Sequence, residues 1–279
     1  MGKENRFGIL KEQDKKFRTI RIRAPAGNLN SKELALISSV SGKYGRGEVC
    51  FTSRLNVEIP YVPFDKLNDA VSELEAGGLV IGGTGASVRA VFACKAAFCP
   101  HGIINSREAA LKIEEKFGGR KLPVKFKAAI SGCPNNCGRA QLNDLGFVAF
   151  LTPEVLTSQS CDGCGLCISV CKEDAISLND PKDGISIDYS LCVSCGDCVR
   201  ACKKGNITPG KKGLHVYIGG RAGREIKSGI LYENEISEGD ITDFAGKVID
   251  YIDDECTGHE RLCSHLERVG IEKLAHRLG

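Results

Sequence analysis

Along residues 17–25 apolar and basic positions alternate, with Ile20 and Ile22 between Arg21 and Arg23, the period of a strand with one buried face. Residues 48–59 carry a second strand pattern, while 32–43 and 64–76 read as helices. In the second helix Leu67, Ala70, Val71 and Leu74 fall on one side, and Gly77-Gly78 supplies the stop. Ser106 is the expected N-cap of a helix carrying Ala109, Ala110, Ile113 and Phe117, which ends at Gly118-Gly119. Strands are expected at 122–131, 145–151 and 213–219, with helices near 240–255 and 259–269. Strand–helix–strand–helix order at the start implies an α+β fold.

Composition changes this picture in one respect. The chain has 279 residues, 26% charged and 42% hydrophobic, with a formal net charge of +3. Those are ordinary values for a soluble globular protein, and the charge gives no bulk support for nucleic-acid binding. The charged start, MGKENRFGILKEQDKKF, lacks the apolar run of a secretory signal, and no stretch has the length of a membrane span. A cytoplasmic location without membrane insertion is therefore expected. The cysteine count, 15, is the outlying number. Without an export signal such density points to metal rather than disulfides.

Eight of these cysteines form two runs of one pattern, Cys161-x2-Cys164-x2-Cys167-x3-Cys171 and Cys192-x2-Cys195-x2-Cys198-x3-Cys202. This spacing holds 4Fe–4S clusters in bacterial ferredoxins, with the fourth cysteine of each run serving the other cluster. The expected sets are Cys161, Cys164, Cys167 and Cys202, and Cys192, Cys195, Cys198 and Cys171. Gly163, Gly165 and Gly196 suit loops that must pass close to a cluster. Zinc is the competing reading of paired cysteines, and the duplicated spacing argues against it. The segment 156–208, with seven acidic and five basic residues in a net positive chain, reads as an insert.

A third group is Cys94-x4-Cys99, then Cys133-x3-Cys137, in the words VRAVFACKAAFCPHG and ISGCPNNCGRAQLNDLGFVAF. Here the chain resembles the siroheme-containing sulfite and nitrite reductases, whose cubane motif is two cysteines, a gap, then GCPNxCGRA. VYIGGRAGRE and GHERLCSHLERVGIEKL are similar to that family's closing segments. The overall arrangement is most like the C subunit of anaerobic sulfite reductase or a dissimilatory-type subunit. The first spacing departs from the family's commoner x5, and Cys50, Cys256 and Cys263 lie outside all three groups.

The resemblance implies a 4Fe–4S cluster on Cys94, Cys99, Cys133 and Cys137, with Cys137 also bridging to siroheme iron. With the two ferredoxin-type clusters that makes three. It further implies basic side chains for siroheme's carboxylates and for an oxyanion substrate. Arg23, Arg89, Lys125 and Lys127 are the implied substrate residues. Arg54, in a word similar to the family's T-x-R-Q with Leu55 for the usual Gln, is implied to hold siroheme, as are Arg21, Asn135, Asn136, Arg139, Arg221 and Arg224. Lys125 and Lys127, two apart, are expected on one strand face. His101 lies near a cluster motif but receives no role.

The implied organisation is a ferredoxin-like half-domain at 1–78, a siroheme and 4Fe–4S region at 79–155, a two-cluster ferredoxin module at 156–208 and a closing segment at 209–279. The implied activity is six-electron reduction of sulfite, in anaerobic metabolism, with nitrite as the competing substrate. IGGTGAS at 81–87 precedes no clear helix, so electrons are expected from an external flavoprotein subunit or reduced ferredoxin. One copy of a unit that such enzymes often carry twice implies a homo-oligomer. The contrasting expectation is a non-catalytic electron-transfer protein with clusters and no siroheme.

Overall fold

The computed structural model describes residues 7–156, 161–178, 184–258 and 260–279. The expected helix start at 259 and parts of the 156–208 segment lie outside the described residues.

The first unit is a four-stranded antiparallel sheet of β1 (Ile9–Lys11), β2 (Phe17–Ile22), β3 (Cys50–Phe51) and β4 (Val57–Pro63), in the order β1-β2-β4-β3. Helices α1 (Ser31–Tyr44) and α2 (Leu67–Ala76) cover it. Ile20, Ile22, Ile37, Val40, Val57, Ile59, Ala70 and Leu74 form the shared core. Asn30 starts α1 with a capping box, accepting from the backbone of Lys32 and Glu33 while Glu33 accepts from the Asn30 N–H.

The expected strand at 48–59 is a hairpin instead. The Thr52 hydroxyl accepts from the backbone N–H of Arg54 and Asn56, and Leu55 sits at φ 62. A side chain that bonds its own backbone competes with a ladder, and here it turns the chain.

The second unit is a five-stranded mixed sheet, ordered β11-β10-β7-β6-β5. Its strands are β5 (Phe92–Ala93), β6 (Ala128–Ser131), β7 (Leu145–Val155), β10 (Ile207–Ile218) and β11 (Ile230–Leu231). β5, β6 and β7 run parallel, whereas β10 is antiparallel to β7 and β11. Helices α3 (Ser106–Phe117), α6 (Ile241–Glu255), α7 (Leu262–Val269) and α8 (Glu272–Leu278) complete the unit. Ile241, Phe244, Ala245, Val248, Ile249 and Ile252 are buried at helical spacing on α6, against Phe126, Ile130 and Phe147. The first six β7 residues are all buried, as a central strand requires.

The strand expected from 122 begins only at Ala128, although alternation persists ahead of it: Leu122, Val124 and Phe126 point in, Lys125 is exposed and Lys127 half-buried. The α3 cap is Asn105, which accepts from Glu108 N–H; Ser106 is the first helical residue and its hydroxyl donates to the Cys94 carbonyl. Helix α8 was not anticipated.

Between β7 and β10 the chain leaves the sheet to form α4 (Leu166–Val170), the hairpin of β8 (Ile176–Leu178) and β9 (Ile185–Ile187), and α5 (Asp197–Ala201). Val155 pairs with Ile207, so the excursion begins and ends on neighbouring strands. Among the described residues no helix is long and apolar enough to cross a membrane.

Candidate functional site at the two ends of the parallel strands

Parallel pairing of β5 and β6 aligns their ends. Cys94 follows β5 and Cys133 lies two residues beyond β6, so one edge of the sheet receives both. The Gly132 N–H donates to Cys94 Sγ at 3.1 Å, tying the two strand exits together. A Cβ on Gly132 would lie 2.1 Å from that of Ala96, so this approach needs glycine. Burial pushes the Cys133 thiol up, and the neighbouring thiols of Cys94, Cys137 and Cys99 push the same way, which places all four within electrostatic reach. Cys133 is buried and Cys137 exposed.

Asn136 holds the loop between them. At φ 48, its Oδ1 accepts from Ser131 Oγ at 3.0 Å and from Ala140 N–H at 2.9 Å, and its amide donates to Gln141. A side chain so engaged organises the loop between Cys133 and Cys137. Asn135 and Arg139 are exposed.

The eight cysteines of the two x2-x2-x3 runs fall into two groups around two cavities. One, of about 170 Å³, is lined by Cys161, Cys164, Cys167 and Cys202. The other, of about 130 Å³, is lined by Cys171, Cys192, Cys195 and Cys198, with Pro134 and Asn135 in its wall. Gly163, Gly165 and Gly196 have φ of 69, 71 and 70, a conformation that disfavours side chains. Burial raises the Cys198 thiol to about 12, with Cys195 and Cys192 adding to it. Such a thiol is a poor thiolate unless an electrophile binds it, as a metal does. Among the described residues no three His, Cys, Asp or Glu side chains converge to hold a single ion.

The opposite edge is cationic. Arg89 precedes β5 and Lys127 precedes β6. A cavity of about 300 Å³ between Gly85 and Gly258 is lined by Arg89, Lys125 and Arg261. Burial pulls Lys127 down to about 8, with Arg54 and Arg261 helping and Asp144 opposing. Lys125 is lowered too, by burial, then by Arg261 and Arg89. Burial likewise takes Arg54 and Arg89 to about 10, which leaves both charged at neutral pH.

Asp144 and Arg261 organise this end, and neither was singled out in the sequence. The Asp144 carboxylate, fully buried, accepts from the Lys127 backbone N–H at 2.9 Å. It also receives Arg261 Nη2 at 2.7 and 2.8 Å, a fork that fixes the guanidinium in the cavity wall. Asp144 in QLNDLGF offers one signal, an acid directly before an apolar run; Arg261 lies in GHERLCSHL among other basic residues.

The other expected basic residues part ways. Arg54 joins the two units, donating to Asn143 Oδ1 at 2.6 Å and to the carbonyls of Ala90 and Ala128, while its buried Nε has no hydrogen-bond partner among the described residues. Arg21 pairs with Glu58 at 2.6 Å. Arg23, 6% exposed, is engaged by Glu114 at 2.5 Å and by the Val88 carbonyl. The guanidinium is turned inward, where it braces α3. Arg221 pairs with Glu225 at 2.9 Å yet still acts on Lys125, and Arg224 is exposed.

Thiol loops at one edge of a mixed sheet and a cationic cavity at the other define a redox protein of the iron–sulfur class. The chain belongs to the nitrite and sulphite reductase family: residues 84–279 match the nitrite and sulphite reductase 4Fe-4S domain and residues 9–77 the nitrite/sulfite reductase ferredoxin-like half domain. It is 36% identical over 270 residues to the "Coenzyme F420-dependent sulfite reductase" of Methanocaldococcus jannaschii, covering 95% of this chain and 43% of that one. It is 26% identical over 188 residues to the C subunit of the anaerobic sulfite reductase of Salmonella typhimurium, covering 60% of this chain and 53% of the relative. The fold is similar to that of dissimilatory sulfite reductase I, with a TM-score of 0.76 at 18% identity over 94% of this chain and 69% of that one.

Proposed function

We propose that this chain reduces sulfite to sulfide at a siroheme coupled to the cluster of Cys94, Cys99, Cys133 and Cys137, with electrons delivered through two ferredoxin-type clusters in the 156–208 segment. The observation that carries the catalytic reading is the cationic cavity of Arg89, Lys125 and Arg261. An electron wire needs no anion pocket. The sorting of eight thiols around two cavities supports the ferredoxin-type sets, with their crossed fourth cysteines.

Siroheme, held beside the Cys94–Cys137 site, would supply a redox-active iron for reduction of the oxyanion. The rest falls to the protein. Sulfite takes six electrons and releases three oxygens as water, so six protons must reach the pocket. Arg89 and Arg261 neutralise the oxyanion and hold its oxygens. Lys127, at about 8, is protonated at neutral pH yet gives its proton up readily, as a donor to a departing oxygen must. Lys125 holds a second proton at the cavity mouth. Arg54, with one buried N–H to spare, and the exposed Arg139 and Arg224 suit carboxylates of the macrocycle.

A second copy completes the site in this reading. Arg89 and Cys94 bracket β5, and Lys127 and Cys133 bracket β6. Five or six residues at about 3.3 Å each part the two edges by roughly 17–20 Å, well beyond a lysine's reach. The separation supports a homo-oligomer in which the cationic edge of one copy serves the thiol edge of another. Native mass measurement checks it: a fully active monomer would sink the arrangement.

The deciding experiment is an anaerobic absorption spectrum with acid-acetone extraction of pigment. Siroheme bands that shift when sulfite meets reduced protein are expected. An iron–sulfur shoulder with no extractable pigment, in cells that make siroheme, would establish an electron carrier instead. Faster turnover of nitrite than of sulfite would transfer the same mechanism to the other oxyanion.

A further inference from the structure

The two cysteine runs share a spacing but not a setting. The second run is fastened to β7: Leu151 N–H donates to the Ser194 carbonyl at 2.7 Å, and the Tyr189 hydroxyl to the Pro153 carbonyl at 3.0 Å. Gly196 backs so closely onto Leu151 that a Cβ would stand 2.8 Å from Leu151 Cδ2. The first run contacts its own segment, as Lys204 does with Asp162 at 3.8 Å and Gly163 with Leu178. Pro134 and Asn135, from between Cys133 and Cys137, wall the cavity of the second run's set, so this is the set nearer the Cys94–Cys137 site.

A side-chain contact joins these two thiol regions. His101 Nδ1 lies 3.2 Å from Asp197 Oδ1, across 96 positions of sequence. His101 stands two residues after Cys99, in a turn closed by the Gly102 N–H on the Cys99 carbonyl at 3.0 Å. Gly102 passes close to Ala96, where a Cβ would lie 2.2 Å from the carbonyl oxygen, so the turn excludes a side chain there. Asp197 stands between Cys195 and Cys198 and is steadied from behind by Arg200. The two side chains are 38% and 17% exposed, so the contact sits at the rim of the junction.

We propose that His101 and Asp197 form a latch that registers the Cys195–Cys198 loop against the Cys99 loop and thereby fixes the gap electrons cross between the two thiol sites. The redox part rests on the proposed function; the contact itself does not. Each loop has local anchors, but the helical turns beside them, Ala96–Phe98 and Asp197–Ala201, are only three and five residues long, and the latch ties one loop to the other. Electronic coupling falls steeply with distance, so slack in both loops would slow transfer without changing either ligand set. The imidazole Nδ1–H donates and the carboxylate accepts. His101 and Asp197 are positioning residues, each acting through the cysteines of its own loop.

The test uses anaerobically purified holoprotein with His101→Ala, Asp197→Asn, the double variant and His101→Gln. Amide exchange is followed in peptides spanning 99–103 and 194–198. Either single substitution is expected to speed opening of both peptides about fivefold, the loss of one partly exposed hydrogen bond. The double variant should go no further than the singles, and His101→Gln, which keeps a donor, should recover much of the protection. After rapid photoreduction, electron arrival at the sulfite-reducing site should slow several-fold in His101→Ala, which removes no acid, with iron content and midpoint potentials unchanged. Additive effects, or a response only on the mutated side, would overturn the latch. Coupled exchange with unaltered transfer rates would overturn its redox role. Wild-type protein lacking siroheme would defeat the proposed function instead, and the exchange cycle would still decide whether the two loops are tied.

Discussion

At the thiol edge of the β5–β6 pair the chemistry arrives in short words, with two cysteines within six positions on each strand exit. At the cationic edge it is gathered from far apart: Arg89, Lys125 and Lys127, Asp144, and Arg261 from beyond the whole cysteine-rich segment. The first edge is held by backbone turns and positive-φ residues, the second by one buried carboxylate gripping both a strand and a guanidinium. Local ligand sets tolerate changes elsewhere in the molecule. A pocket assembled at long range depends on whatever brings its walls together, and here that is Asp144.

The sharpest division between the edges comes from removing one group at each. Cys133→Ser should abolish sulfite turnover and remove visible absorption of the coupled site, because bound metal and local fold stand together. Lys127→Met should cut turnover by about 10²–10³, the scale of one preorganised donor, while absorption and iron content stay at wild-type levels. Loss of pigment in Lys127→Met would show that the cationic edge also holds the cofactor, and would blur the contrast.

Asp144→Asn tests the long-range grip. Breaking one partner of a buried ion pair costs about 3–5 kcal/mol, read as a lower denaturant midpoint of the holoprotein. Turnover should fall with it, because Arg261 loses its fork. A midpoint unchanged within error would mean that the walls stand without the carboxylate.

The smallest effect is in pH dependence. Lys127 sits at about 8, below the ordinary lysine value of 10.5, so the folded state releases this proton first. Between those values the unfolded chain binds more protons, and this residue's contribution to stability rises with pH. Turnover should move oppositely, falling on an alkaline limb near 8 as the charged form disappears. Arg261→Gln removes a cation that depresses Lys127 and should carry the limb upward by a fraction of a pH unit. A limb that stays in place would assign the titration to another group.

Much of the thiol edge was legible because cluster ligands are read by spacing, and spacing is local. The eight cysteines of the segment line two cavities, four to each. The helices over 31–44 and 67–76 were visible in their period, but the hairpin at 50–63 was not, since a threonine hydroxyl broke an apparently continuous strand. Arg23 shows the limit at the cationic edge. Alternation with Ile20 and Ile22 puts it on a face with Arg21, yet Glu114, 91 positions away, draws it inside. Asp144 and Arg261 were missed for the same reason: no residue near either in sequence announces the other.

The seam at which the cysteine-rich segment joins the sheet has a consequence for the ancestry of the chain. Leu156 N–H donates to the Asn206 carbonyl at 2.8 Å, so the sheet experiences those fifty-odd residues as an ordinary hairpin connection. Closing a loop of that length instead of a tight turn costs only about 2 kcal/mol in chain entropy. At that cost the chain could gain or lose the passage as one unit, giving up its contacts with Leu151, Pro153 and His101. Cutting at the seam and bridging it with a short turn is expected to leave the β7–β10 pairing intact.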